Sequence, residues 1–106
     1  IALGNIDVER DFLDVRDVAS AYCSIFSGTV TSEVVNICSG TLTSLEDIIA
    51  KLTKITNQKI RVVVDPRFVR SNEIKSLGGD NTKLSSLFGF SPEFDIEDTL
   101  RSMLAA

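Results

Sequence analysis

Apolar positions recur along this chain in helical rhythms and in short runs, with polar residues punctuating both. Val15, Val18, Tyr22, Ile25 and Phe26 keep the three-to-four-residue spacing of a helix. Asp14 stands where an N-cap belongs, Asp17 follows in the first turn, where the dipole favours an anion, and Gly28 marks a stop. The spacing puts Tyr22 on the buried face. A second helical rhythm runs through Leu45, Ile48, Ile49, Leu52 and Ile55. Thr43-Ser44-Leu45-Glu46 reads as its capping box, with Thr43 at the N-cap and Glu46 at N3. Lys51 and Lys54 sit toward its C-terminal end, and Asn57 closes it.

The short runs predict strands. Val34, Val35, Ile37 and Cys38 form a nearly continuous apolar run, suited to a strand buried on both faces and ended by Ser39-Gly40. Residues 60–64 are rich in β-branched side chains and stop at Asp65-Pro66. Ile1, Leu3 and Ile6 give a short extended start with Gly4-Asn5 as a turn, and Phe12 and Leu13 lead into the first helix. Residues 67–79 keep no period and form a long connection, a place where function often resides. Beyond it, Asp80 caps a short helix with Leu84, Leu87 and Phe88, closed by Gly89. Asp95 then caps a last helix with Ile96, Leu100, Met103 and Leu104. The order is strand, helix, strand, helix, strand, loop, helix, helix, with no internal repeat. It predicts a small α/β layer of α+β type, a short mixed sheet with about four covering helices. So few strands do not hide both sheet faces, and the layer is expected to pack against something larger.

Composition narrows the function. The 106 residues make one domain, residues 1–106. A net charge of −4 with scattered basic residues argues against a general nucleic-acid binder. The longest apolar runs are too short for a bilayer, and no signal-peptide pattern stands at the start, so a cytoplasmic protein with no membrane partner is expected. Cys23 and Cys38 read as reduced core thiols. With no histidine, zinc ligands and a serine-hydrolase triad are both lacking. The chain opens at Ile1 directly on a strand pattern, which is the expectation of an excised fragment.

The candidate chemistry lies in two stretches. Arg10 stands among Asp7, Glu9 and Asp11; it pairs with one of these on the surface or reaches a phosphate. Arg67 and Arg70 flank Phe68 and Val69, and either faces water or forks onto an oxyanion. Glu73, three residues on, accepts hydrogen bonds when ionised, which fits vicinal hydroxyls and not phosphate. Gly78-Gly79-Asp80 reads as a tight turn with an N-cap, because Asp80 brings its own charge to the place a phosphate would take. Tyr22 lacks a lysine four residues on, where Phe26 stands, so no Tyr-x-x-x-Lys pair is present.

Gly4-Asn5-Ile6, the run Arg10-Asp11-Phe12-Leu13-Asp14-Val15-Arg16-Asp17-Val18, and Val35-Asn36-Ile37-Cys38-Ser39-Gly40 together resemble one family. Asp65-Pro66, Arg70-Ser71-Asn72-Glu73-Ile74, Gly79-Asp80-Asn81-Thr82-Lys83-Leu84 and Gly89-Phe90-Ser91-Pro92 continue the likeness in order. The family is the NAD-dependent epimerase/dehydratase group, extended short-chain dehydrogenases/reductases that act on nucleotide sugars. The chain looks like its C-terminal substrate domain. It is most similar to the GDP-sugar subgroup of GDP-mannose 4,6-dehydratase and GDP-4-keto-6-deoxy-mannose reductase, whose loop reads Arg-Pro-x-Glu-[Val/Ile]. Ser71 replaces the proline and leaves the loop freer.

The resemblance implies roles. Arg10 and Arg70 bind the diphosphate, and Glu73 accepts hydrogen bonds from the ribose; Arg67 is a lesser candidate. NAD or NADP is bound by an N-terminal Rossmann domain that also carries the Gly-x-x-Gly-x-x-Gly loop and the Tyr-x-x-x-Lys pair. On that reading this segment has no catalytic residue, binds no cofactor or metal, and is inactive alone. Its partners are the nucleotide sugar and the N-terminal domain, and the intact NAD(P)-dependent dehydratase, reductase or epimerase is a homo-oligomer. The alternatives are a UDP- or dTDP-sugar enzyme and, from another class, a non-catalytic protein-interaction module.

Overall fold

Asp14 starts the first helix by accepting the backbone N–H of Arg16 at 2.8 Å, and the helix, α1, runs Val15–Ser27. In the computed structural model, which describes residues 1–106, it is one of four helices. The others are α2 (Leu45–Thr56), α3 (Thr82–Phe88) and α4 (Ile96–Ala105). Strands β1 (Ala2–Leu3), β2 (Glu9–Asp11), β3 (Leu42–Ser44), β4 (Val63–Val64) and β5 (Ser76–Leu77) complete the chain. This is the expected α/β layer, with a short mixed sheet and four helices.

The strands form two small sheets. β1 pairs with β4 in parallel, Ala2 opposite Val63 and Leu3 opposite Val64. β2 is the centre of the other sheet. It lies antiparallel to β3, with Arg10 opposite Thr43, and parallel to β5, with Arg10 opposite Leu77. β2 reads Glu-Arg-Asp and carries no apolar alternation. Side-chain ties hold it instead. Asp11 accepts the backbone N–H groups of Ser39 and Gly40 at 2.8 and 2.9 Å, and Glu9 accepts the Ser76 hydroxyl at 2.8 Å.

Several sequence expectations are corrected. Residues 34–38 form no strand. No strand of the chain lies beside them, so Val34 is exposed, while Val35 and Ile37 turn inward against the core. Side-chain amides do the work of a ladder: Asn81 Nδ2 donates to the carbonyls of Cys38 and Ser39 at 3.3 and 3.1 Å. Of residues 60–64, only Val63 and Val64 pair.

The face of α1 also differs. Val15 and Phe26 are 76% and 86% exposed, and Tyr22, expected in the core, is exposed too. The buried positions are Asp17 and Ala21. Ala21 packs with Leu84 and Phe90, ringed by Leu13, Ile25, Val35, Ile37 and Phe88. α1 carries apolar residues on two sides, and spacing alone does not choose between them. The small Ala21 admits α3, while Asp17 accepts the N–H groups of Glu93 and Phe94 at 3.0 and 3.1 Å. Cys23 is exposed with that outer side; Cys38 is buried.

The helix ends follow the sequence closely. Ser44, one residue after the expected Thr43, caps α2 by accepting the Asp47 N–H at 3.0 Å. Asn57 closes α2 in the left-handed conformation, φ 53°. Asn81 occupies the cap position of α3, where Asp80 was expected, yet it is Asp80 that accepts the Thr82 N–H at 2.9 Å. Gly89 ends α3 with φ 67°, a conformation glycine adopts freely. Asp95 and Asp98 form a reciprocal capping box on α4. No helix is long and apolar enough to cross a membrane.

The molecule is a slab of 49 × 35 × 17 Å with a radius of gyration of 16.5 Å. A globular domain of this length has a radius near about 13 Å. Its accessible surface is 7501 Å², against about 5,800 Å² for a folded monomer of this mass. Only eight residues are buried, so the chain leaves much apolar surface open.

Candidate functional site

The predicted site residues come from two elements, β2 and the loop that enters β5. Arg10 comes from the middle of β2, Glu73 from the loop that enters β5, and Arg70 from the start of that loop. The loop begins in a 3-10 turn, Pro66–Phe68, capped by Asp65, which accepts the Arg67 N–H at 2.9 Å. It bends again at Ser71 and Asn72 before reaching Glu73.

Arg10 pairs with none of Asp7, Glu9 or Asp11, the acidic residues nearest in sequence. Its Nη1 donates to the carbonyls of Glu9 and Lys75 at 2.7 and 3.4 Å. Its Nη2 faces Glu73 Oε1 at 3.9 Å. Glu73 is half-buried, and its other oxygen accepts Asn5 Nδ2 at 3.0 Å. Arg70 is exposed and joins no ion pair. The structure thus joins Arg10 to Glu73 and leaves the Arg70 guanidinium unpaired on the same loop.

Other arginines are engaged locally. Arg67 forks onto Asp65 with its closest contact at 2.7 Å, and the pair holds the Asp65 carboxyl below the usual carboxylate range. Arg16 forks onto Asp14 at 2.8 and 2.9 Å and lies 3.7 Å from the Phe94 ring centroid. The Arg16 guanidinium, followed by the Thr99 hydroxyl, holds the Asp14 carboxyl well below the usual range. Both forks fasten backbone, whereas the Arg70 guanidinium joins no ion pair.

Sequence reasoning missed Asn5. Gly4-Asn5 is visible as a turn, but its partner lies 68 positions away and no local pattern marks it. The glycines before α3 do not form a phosphate cradle. A Cβ on Gly78 would come within 2.7 Å of Leu42 Cδ2, and one on Gly79 within 2.6 Å of Cys38 Sγ, so both serve close packing. Asp80 fills the helix start, as its own charge foretells.

Two surface grooves lie away from these residues. One runs between α1 and α3 past Ser24 and Phe88; another lies between α2 and α4, lined by Leu45, Ile48 and Met103. The Arg10 and Glu73 side chains keep 30% and 19% of their surface exposed.

The sequence model of the GDP-mannose 4,6 dehydratase family matches residues 1–103. The chain belongs to this family. It is 36% identical over 105 residues to GDP-6-deoxy-D-mannose reductase of Pseudomonas aeruginosa, covering 99% of this chain and 34% of that protein. It is 33% identical over 89 residues to GDP-6-deoxy-D-talose 4-dehydrogenase of Aggregatibacter actinomycetemcomitans, covering 84% of this chain and 30% of that one. Among solved structures, RMD from Pseudomonas aeruginosa complexed with NADPH superposes with a TM-score of 0.90 at 35% identity, over 99% of this chain and 34% of its own. UDP-glucuronic acid 4-epimerase from Bacillus cereus in complex with NAD gives a TM-score of 0.75 at 25% identity, over 94% of this chain and 31% of its own. The chain therefore spans about a third of the length of the curated relatives it matches.

Proposed function

We propose that these residues are the nucleotide-sugar-binding domain of a longer NAD(P)-dependent enzyme acting on a GDP-sugar. Arg10 and Arg70 hold the diphosphate, and Glu73 accepts the ribose hydroxyls. The observation that carries this reading is the Arg10–Glu73 pair, two opposite charges turned toward one edge and kept 3.9 Å apart. A guanidinium suits phosphate oxygens and a carboxylate suits a diol, so the edge offers a donor and an acceptor to one ligand. Higher identity to the GDP-sugar relative, 36% against 25% for the UDP-sugar epimerase, favours the guanine nucleotide.

The dinucleotide cofactor belongs to the remainder of the protein in this reading. The one glycine pair here lies close against Leu42 and Cys38. Exposed Val15, Tyr22 and Phe26 on α1 supply an apolar face for that remainder, and residues 34–38 pair with no strand. The segment's contribution is positional: anchoring the nucleotide fixes where the sugar lies. Two unpaired thiols accord with a cytoplasmic setting, where thiols stay reduced.

The test is steady-state kinetics of the full-length protein bearing Arg10→Ala. Loss of a charged contact of about 2 kcal/mol raises KM for the GDP-sugar tens-fold. Unchanged KM and kcat would contradict the phosphate role.

A further inference from the structure

We infer that Asn5 is a positioning residue for Glu73, and that the Gly4–Asn5 turn sets how the site loop faces Arg10. The inference rests on the reading above, in which Glu73 meets the ribose. Asn5 Nδ2 holds Glu73 Oε2 at 3.0 Å, leaving Oε1 turned to Arg10 Nη2 at 3.9 Å. A hydrogen bond between these groups needs about 2.7–3.2 Å, so the pair is attracted but not closed.

The alternative geometry is chemically close at hand. A carboxylate free to turn would fork onto the guanidinium through both oxygens, the strongest arrangement open to these groups. That closed fork would occupy the donors meant for phosphate and the acceptors meant for the diol. The Asn5 amide removes one oxygen from the fork. It binds the carboxylate without neutralising it, since an amide donor carries no net charge.

The backbone shows how Asn5 comes to be there. A Cβ on Gly4 would collide with the Phe68 carbonyl oxygen, so only glycine lets the turn lie against the start of the site loop. Leu3 on one side of the turn accepts the Asp65 N–H at 2.7 Å, fixing the same loop one step earlier. β1 and the site loop are thus clamped at Leu3, at Gly4 and at Asn5 in succession.

The test uses the full-length protein and two probes, GDP and 2′,3′-dideoxy-GDP. Asn5→Asp keeps the side-chain shape but cannot donate when ionised; Asn5→Ala removes the amide. Both are expected to lose about tenfold of the preference for GDP over the dideoxy probe, while kcat for the GDP-sugar stays within about threefold of wild type. Glu73→Gln should lose the same preference, and the double variant Asn5→Ala/Glu73→Gln should be no worse than Glu73→Gln alone. If Glu73→Gln loses the preference while Asn5→Asp keeps it, or if the losses add in the double variant, the positioning role is overturned and the ribose reading stands. If Glu73→Gln keeps the preference, the ribose reading falls and this inference with it.

Discussion

Arg10 Nη2 lies 3.9 Å from Glu73 Oε1, inside ionic reach and outside hydrogen-bond length. A pair so placed contributes little to folding and is free to part for a ligand. Glu73→Gln is therefore expected to change unfolding free energy by less than about 1 kcal/mol. Urea denaturation of the variant checks this; a loss of several kcal/mol would make Glu73 a structural anchor.

Asp17 is the opposite case. It is 1% exposed and accepts two backbone N–H groups from the segment that leads to α4. Asp17→Ala leaves both donors without a partner and should cost about 2–4 kcal/mol. The same denaturation experiment measures it, and the loss should exceed that of Glu73→Gln clearly.

These two carboxylates show what the sequence discloses and what it hides. Caps are local, so Asp14, Asn57, Gly89 and Asp95 were legible from residue type and spacing. The order of helices and the α/β layer follow from the same periods. β2 was not legible, because three charged residues carry no strand pattern of their own and are held by pairing with β3 and β5 and by side-chain ties to Ser39, Gly40 and Ser76. Residues 34–38 carry a strand pattern whose pairing partner lies nowhere in the chain. Burial of Asp17 in place of Tyr22 needed knowledge of what α3 and the Pro92 segment pack against. Arg10, Arg70 and Glu73, the proposed site residues, stand out in the sequence as residue types in an ordered set of motifs. The Asn5 contact was not, being long-range.

Acid should weaken the Asp14 fork. Arg16 and then Thr99 hold its native pKa below the ordinary carboxylate value. A depressed native pKa stabilises the fold at any pH above the unfolded value of about 3.9, and that contribution fades as pH falls from there toward the native value. The stability gap between wild type and Asp14→Asn should thus be full at neutral pH and shrink progressively below pH about 4. Thermal midpoints across that range provide the check, and a gap that widens on acidification would refute the assignment.

Cys38 should be inert in the native protein. It is buried against Gly79, and burial, helped by nearby Asp11, pushes its thiol pKa up. In a Cys23→Ser background, a thiol reagent at neutral pH should label Cys38 only after denaturation. Rapid labelling of the native protein would show that the segment around Gly40 opens readily.

The central claim is that the Arg10–Glu73 edge, with Arg70, grips a nucleoside diphosphate. The most direct measurement is calorimetric titration of the full-length protein and its Arg70→Ala variant with GDP and with GMP. The account predicts that Arg70→Ala weakens GDP binding tens-fold, about 2 kcal/mol, and GMP binding much less. Equal GDP affinity in the two proteins, or an equal loss for GDP and GMP, would contradict it.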